Sequence, residues 1–284
     1  MSRVRAMLKG MTPPLVIAHR GASSEFAEHT LAAYERAIEV GADALECDVR
    51  LTADGHVVCV HDATISRTSN GTLAVDTSTL AQLRRFDFAS WMTGAAPTAP
   101  GEVAPRYSVL TLETLLDLAT SSARPVGLSI ETKHPTRQSL SLEEHVVEAL
   151  RRFALVPAGA SAADPQSAGG VRVMSFSARA LHRMRVLAPS VPTVYLTSQP
   201  PAHLRDGGLP AGAVVAGPGL EVLRVDPGYV ARAQSRGHRV HVWTVDEPVD
   251  VAFCVSLGVD GIITNRPAAV VGDVGRRVGK LSAG

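Results

Sequence analysis

The chain has 284 residues, with 28 basic and 27 acidic side chains and a formal net charge of +1. That balance excludes a nucleic-acid protein or a membrane binder held by overall charge, so any anion must be met by a local site. The length suits one large α/β unit, and three cysteines (Cys47, Cys59 and Cys254) without CxxC spacing speak against a disulfide scaffold or a cysteine zinc site.

The N-terminal MSRVRAMLKGMTPPL is basic but lacks an apolar core and a cleavage site. No window approaches 18 consecutive apolar residues, so a cytoplasmic protein without stable membrane insertion is expected. The first candidate strand is LVIAH (15–19). Segment 29–41 then reads as a helix, with Leu31, Tyr34, Ala37 and Ile38 on one face and Gly41 as its stop. ALECDV (44–49) is the second strand, and HVVCVH (56–61) folds back on it through a hairpin turn at Asp54-Gly55. Residues 62–110 are long for a connection and predict a small insertion with one short helix in TSTLAQLRRF. Asn70-Gly71-Thr72 within it reads as a turn.

Beyond the insertion, strands are expected at 126–132, 172–176, 193–197, 213–217, 239–245 and 261–264. Helices are expected at 111–120, 141–154, 178–188, 227–237 and 247–258. Segments 93–105 and 156–170, rich in Ala, Gly and Pro, read as loops, and the tail after Arg276 as frayed. Alternation of strand and helix implies a parallel sheet, and strands apolar on both faces imply a sheet covered all round. About eight such units give a (β/α)8 TIM barrel with a small insertion after the second strand. The expected organisation is a single domain over 1–284 with its core at about 15–267. A doubly wound open sheet is the alternative, because periodicity does not show closure.

An active site in such a barrel gathers at the carboxyl ends of its strands. Those ends offer His19 and Arg20, Glu46 and Asp48, His61 and Asp62, Glu131 and Lys133, Trp243 and Asp246, and Asn265. Strand alternation puts Glu46 and Asp48 on one face, where two carboxylates repel unless a cation joins them. With Glu131 they form a hard-oxygen set suited to Mg²⁺ or Ca²⁺; the bland reading turns them outward to pair with Arg50 or Lys133. Two imidazoles, His19 and His61, can divide proton removal and proton donation near neutral pH. Arg20 can fork two phosphate oxygens and Lys133 can act as a point charge on a third. A Schiff-base role for Lys133 is disfavoured by Glu131 two residues away. Trp243 suits a pocket wall or the barrel core equally. GRRVGK (275–280) lacks the spacing and context of a phosphate-binding loop.

AHRG, ECDVRLTADGHVVCVHD, RTSNGTL, VLTLETLLDL, SIETK, SFS, VWTVD and GVDGIITNRP occur in that order. Together they resemble the glycerophosphodiester phosphodiesterases over about residues 15–267. The resemblance implies a TIM barrel with a divalent cation. It implies hydrolysis of small-molecule glycerophosphodiesters, such as glycerophosphocholine, to sn-glycerol 3-phosphate and an alcohol. It implies metal binding by Glu46, Asp48 and Glu131, with His19 and His61 as the acid–base pair; of the two possible assignments, His19 as base and His61 as acid is the one expected here. It further implies that Arg20 and Lys133 hold the phosphate and that Trp243 lines the pocket. Ala27-Glu28-His29-Thr30 stands where the family usually has Pro-Glu-Asn-Thr. Asn265 stands where Asp is usual, and Asp246 where Asn is common. A lysophospholipase D-type enzyme and a catalytically silent phosphate-binding barrel are the alternatives. Headgroup preference and oligomeric state are not specified by these residues.

Overall fold

The computed structural model describes residues 13–99, 102–134, 141–156, 158–159, 162–167 and 169–282. The N-terminal segment through residue 12 lies outside them, as do parts of the two loop segments. Nine strands form one sheet: β1 (Leu15–His19), β2 (Ala44–Leu51), β3 (Val57–Cys59), β4 (Gly127–Thr132), β5 (Val171–Ser175), β6 (Thr193–Thr197), β7 (Val215–Pro218), β8 (Arg239–Val242) and β9 (Gly261–Thr264). Eight of them run parallel, and β1 pairs with both β9 and β2, so the sheet closes into a barrel. The open-sheet alternative is thereby excluded.

The closure leaves room for β3. β1 pairs with β2 only over Ala44–Glu46, whereas β3 pairs antiparallel with Val49–Leu51. β3 thus takes the β2 edge beyond the point where β1 has ended, and His61, two residues after β3, arrives at the carboxyl rim of the barrel.

The helices are α1 (Leu31–Glu39), α2 (Leu80–Leu83), α3 (Ser90–Thr93), α4 (Leu112–Thr120), α5 (Leu142–Arg152), α6 (Ala178–Leu187), α7 (Leu220–Val225), α8 (Tyr229–Ser235), α9 (Pro248–Leu257) and α10 (Pro267–Ser282). α1 starts where the Thr30 side chain accepts the Ala33 N–H, and it buries Ala33, Tyr34 and Ala37 against the barrel. None of the helices among the described residues is long and apolar enough to cross a membrane.

Inside the barrel, Ile17, Met174, Val194, Leu196, Val215 and Ile263 form an apolar layer. Toward the amino ends of the strands the interior turns polar, with Arg172 and His241 fully buried. Gln166 Nε2 donates to Asp260 O at 2.8 Å, which turns its Oε1 to His241 Nε2 at 2.9 Å. The segment before β5 therefore closes that end of the barrel.

Three expectations change. The strand expected over 239–245 ends at Val242; Trp243 pairs only through one bridge to Gly219, and the Trp243–Thr244 peptide is cis. The insertion holds α2, α3 and two 3₁₀ turns over its own small core of Val60, Ile65, Val75, Leu83 and Phe88. The C-terminal segment stays helical through Ser282 instead of fraying after Arg276, because Val270 and Val274 anchor α10 on the shell around β8 and β9.

Candidate active site

β1 ends at His19, and the chain turns at once. Arg20 (φ 58°) and Gly21 (φ 87°) are both left-handed. Gly21 has no substitute there, since a Cβ would lie 2.7 Å from Ala33. The turn folds the Arg20 N–H onto Glu46, 2.9 Å from Oε2.

Glu46, Asp48 and Glu131 all point inward, are buried, and bring oxygens within 4.8 Å of one another. The outward reading is excluded, and Arg50 instead donates to the backbone oxygen of His61. Lys133 Nζ does join the group, 2.8 Å from Glu131 Oε1 and 3.1 Å from Asp48 Oδ1. Arg20 Nε lies 3.0 Å from Asp48 Oδ2. Burial acts to raise the Asp48 pKa, but the hydrogen bond from His29 and the charges of Lys133 and Arg20 hold it well below the usual range. Burial and the nearby Asp48 charge push Glu46 well upward and Glu131 to about 8. The protein's own cations thus satisfy one carboxylate and leave two pushed toward the protonated form. A divalent cation held by three hard oxygens relieves that repulsion, so the donor set fits one.

His19 is held by a relay. Its Nδ1 is 2.7 Å from Asn265 Oδ1. Asn265 Nδ2 donates to Asp246 Oδ2 at 2.7 Å, and Asp246 Oδ1 accepts the Asn265 N–H and the Thr264 hydroxyl. An acceptor-only carboxylate behind the amide turns its NH₂ away and its carbonyl toward the ring. His19 then carries its proton on Nδ1 and offers the Nε2 lone pair. Burial, helped by Arg20, lowers the His19 pKa to about 4, so the ring is neutral near pH 7.

His61 Nδ1 lies 2.6 Å from Asp62 Oδ1, which puts a proton on Nδ1 and leaves Nε2 for exchange. Burial lowers the His61 pKa, while Asp48 and the Asp62 hydrogen bond act the other way. Asp62 is held in turn by Arg67, whose Nε donates to Asp62 Oδ2 at 2.6 Å. The two terminal nitrogens of Arg67 grip Glu28 at 2.7 and 2.9 Å.

His19, Arg20, Glu46, His61, Glu131 and Lys133 line one cavity of about 120 Å³ together with Met174, Phe176, Leu196 and Trp243. The charged residues come from the neighbouring strands β1, β2 and β4 and the hairpin, the apolar ones from the opposite half of the barrel. Trp243 lines this cavity and also packs against the apolar layer inside the barrel. Its indole N–H donates to Gly217 O at 2.7 Å, and its ring stands edge-on to Phe176 at 5.5 Å.

Two elements of this site were not legible in sequence. His29 is buried with φ 60°, its ring spanning Tyr34 OH at 2.8 Å and Asp48 Oδ2 at 3.0 Å. The AEHT departure marked the position, but not its target. Arg67 had only its place in RTSNGTL to mark it, and its Glu28 partner is 39 residues away.

Comparison with known proteins agrees with this geometry. The model of the glycerophosphoryl diester phosphodiesterase family matches residues 19–269. A Mycobacterium tuberculosis protein named "Probable glycerophosphodiester phosphodiesterase 1" is 44% identical over 257 residues, 89% of this chain and 90% of that one. A Bacillus subtilis glycerophosphodiester phosphodiesterase is 32% identical over 89% of this chain and 84% of its own. Among solved structures, a glycerophosphodiester phosphodiesterase from Parabacteroides distasonis superposes with a TM-score of 0.73 at 25% identity, covering 94% of this chain and 99% of that one.

Proposed function

The chain belongs to the glycerophosphoryl diester phosphodiesterase family, and from that premise we propose that it hydrolyses glycerophosphodiesters to sn-glycerol 3-phosphate and an alcohol, using one divalent cation and an acid–base pair of histidines. The observation that carries this reading is the convergence of Glu46, Asp48 and Glu131 beside a cavity lined by Glu46 and Glu131 together with His19 and His61. A bound Mg²⁺ or Ca²⁺ would neutralise phosphate charge as it grows toward the transition state. Glu46, Asp48 and Glu131 would hold it.

The chain's own residues divide the remaining work. Arg20 and Lys133 supply positive charge for the phosphate oxygens once a cation satisfies the carboxylates they now pair with. His19 Nε2, neutral and unprotonated, takes the proton from the attacking oxygen. His61 Nε2, when protonated, gives its proton to the departing alcohol oxygen as the P–O bond breaks. The apolar wall of Met174, Phe176, Leu196 and Trp243 packs the carbon portion of the substrate and thins the water around the reacting centre. The location we propose is the cytoplasm, testable by cell fractionation.

Purified protein given glycerophosphocholine should release glycerol 3-phosphate with Mg²⁺ or Ca²⁺ and none after exhaustive chelation. Activity that survives chelation removes the cation from the mechanism. His19→Ala and His61→Ala should each lose about 10²–10⁴-fold in kcat, and near-full activity in either removes that ring.

A further inference from the structure

Between the phosphate-binding arm and the acid arm of this site runs an unbroken chain of opposite charges: Arg20, Glu28, Arg67, Asp62, His61. Arg20 donates to Glu28 Oε1 at 3.0 Å. Arg67 grips both oxygens of Glu28 with its two terminal nitrogens, and reaches Asp62 Oδ2 with Nε. Asp62 uses its other oxygen for His61 Nδ1. Five donor atoms meet four carboxylate oxygens, with Glu28 Oε1 shared by Arg20 and Arg67, and the three nitrogens of Arg67 each reach a different oxygen, so its guanidinium is held as a fixed fork.

We propose that Arg67 is a positioning residue for the general acid. It touches neither the three carboxylates nor the cavity. Its site of action is Asp62, which it holds with one oxygen turned to His61. That contact keeps the His61 proton on Nδ1 and presents Nε2 as the atom that carries the exchangeable proton. Glu28 is the anchor that stops the guanidinium from swinging out: its side chain is 11% exposed, while that of Arg67 is 44% exposed. Burial opposes ionisation of Glu28, but the Arg67 hydrogen bond and the Arg20 charge hold its pKa down to about 2. Glu28 therefore stays charged throughout the working range and the anchor does not let go. Arg67 comes from the insertion after β3, whose small apolar core is separate from the barrel interior. That insertion thus has a specific task in the reaction: it delivers one guanidinium to the back of the acid.

This inference rests on His61 serving as the acid, and leaving-group chemistry separates the two claims. A departing alkoxide such as choline needs a proton as the P–O bond breaks; a departing p-nitrophenolate does not. Glycerophosphocholine and glycerophospho-p-nitrophenol should be compared at saturating cation for wild type, Arg67→Met, Arg67→Lys, Asp62→Asn and His61→Ala. The expected result for Arg67→Met is a kcat about 10–100-fold lower on the choline ester, with KM nearly unchanged. On the p-nitrophenyl ester its kcat should stay within about threefold of wild type. Asp62→Asn should follow the same pattern, and Arg67→Lys should recover only part of the loss, since a compact ammonium lacks the spread of the guanidinium fork that reaches Glu28 and Asp62 together. A loss of equal size on both esters would make Arg67 a general structural residue and overturn the proposal, as would an Arg67→Met enzyme at full rate on the choline ester. If His61→Ala itself falls equally on both esters, the assignment of His61 as acid fails first, and the role of Arg67 fails with it.

Discussion

His29 Nε2 stands 3.0 Å from Asp48 Oδ2, and it reaches that oxygen from a left-handed backbone at φ 60°. Position 29 therefore has two demands: a backbone conformation few side chains favour, and a donor for a buried carboxylate. His29→Ala fails both. Leaving Asp48 short of a donor and placing Ala in the left-handed region should cost about 2–4 kcal/mol together. His29→Asn tolerates the backbone and keeps an N–H donor, so it should lose about 1 kcal/mol less. Urea unfolding of both variants checks the order, and equal stabilities would remove the backbone argument.

Burial and the Asp48 charge push the Glu131 pKa up to about 8. A cation should therefore stabilise the fold as well as serve the reaction. Added Mg²⁺ or Ca²⁺ should raise the melting temperature of the wild-type protein. In Glu131→Gln the rise should require at least about tenfold more cation. An unchanged cation dependence would take Glu131 out of the ligand set.

Asp246 acts on His19 only through the orientation of the Asn265 amide. Asp246→Asn gives the amide a partner that accepts and donates alike, so the carbonyl is no longer compelled to face His19. We expect kcat to fall about tenfold with KM little changed. A kcat equal to wild type would show that the amide orients without Asp246.

Glu143 is fully buried, 2.7 Å from His134 Nε2 and gripped by the Arg183 guanidinium at 2.7 and 2.9 Å. It ties His134, the residue after Lys133, to Arg183 on α6. Burial acts to raise its pKa, but His134 and Arg183 hold it below 4.5. The unfolded chain therefore takes up this proton first as pH falls. The stability from Glu143 is complete above about 4.5 and drains away as pH drops toward the folded value. Glu143→Gln should cost about 3 kcal/mol at neutral pH, and its stability should fall less steeply below pH 4.5. Parallel acid limbs for the two proteins would refute the linkage.

The barrel was legible because buried parallel strands announce themselves as short runs apolar on both faces, and Val215–Pro218 or Gly261–Thr264 need no partner to be recognised. α7 was not, because Leu220–Val225 is six residues long, has no side-chain cap, and follows β7 after a single glycine. Glu46, Asp48 and Glu131 could be grouped in advance since alternation fixes which face a strand residue occupies. The supports behind them could not. Arg67 meets Glu28 across 39 residues and Asn265 meets His19 across 246, and no local period encodes such pairings. Lys133 illustrates the same limit: its place beside phosphate was inferred from its charge, while its contacts with Glu131 and Asp48 depend on where two strand ends sit side by side.

The Gln166–His241 contact at the far end of the barrel has a bearing on traffic. With the apolar layer of Ile17, Val194, Val215 and Ile263 above it, it makes the reaction chamber a cul-de-sac. Substrate would enter, and both products depart, at the carboxyl ends of the strands, where Phe176 and Trp243 line the cavity. Turnover is then a queue: whichever product lingers bars the next arrival, and glycerol 3-phosphate in the surrounding solution competes for the same threshold.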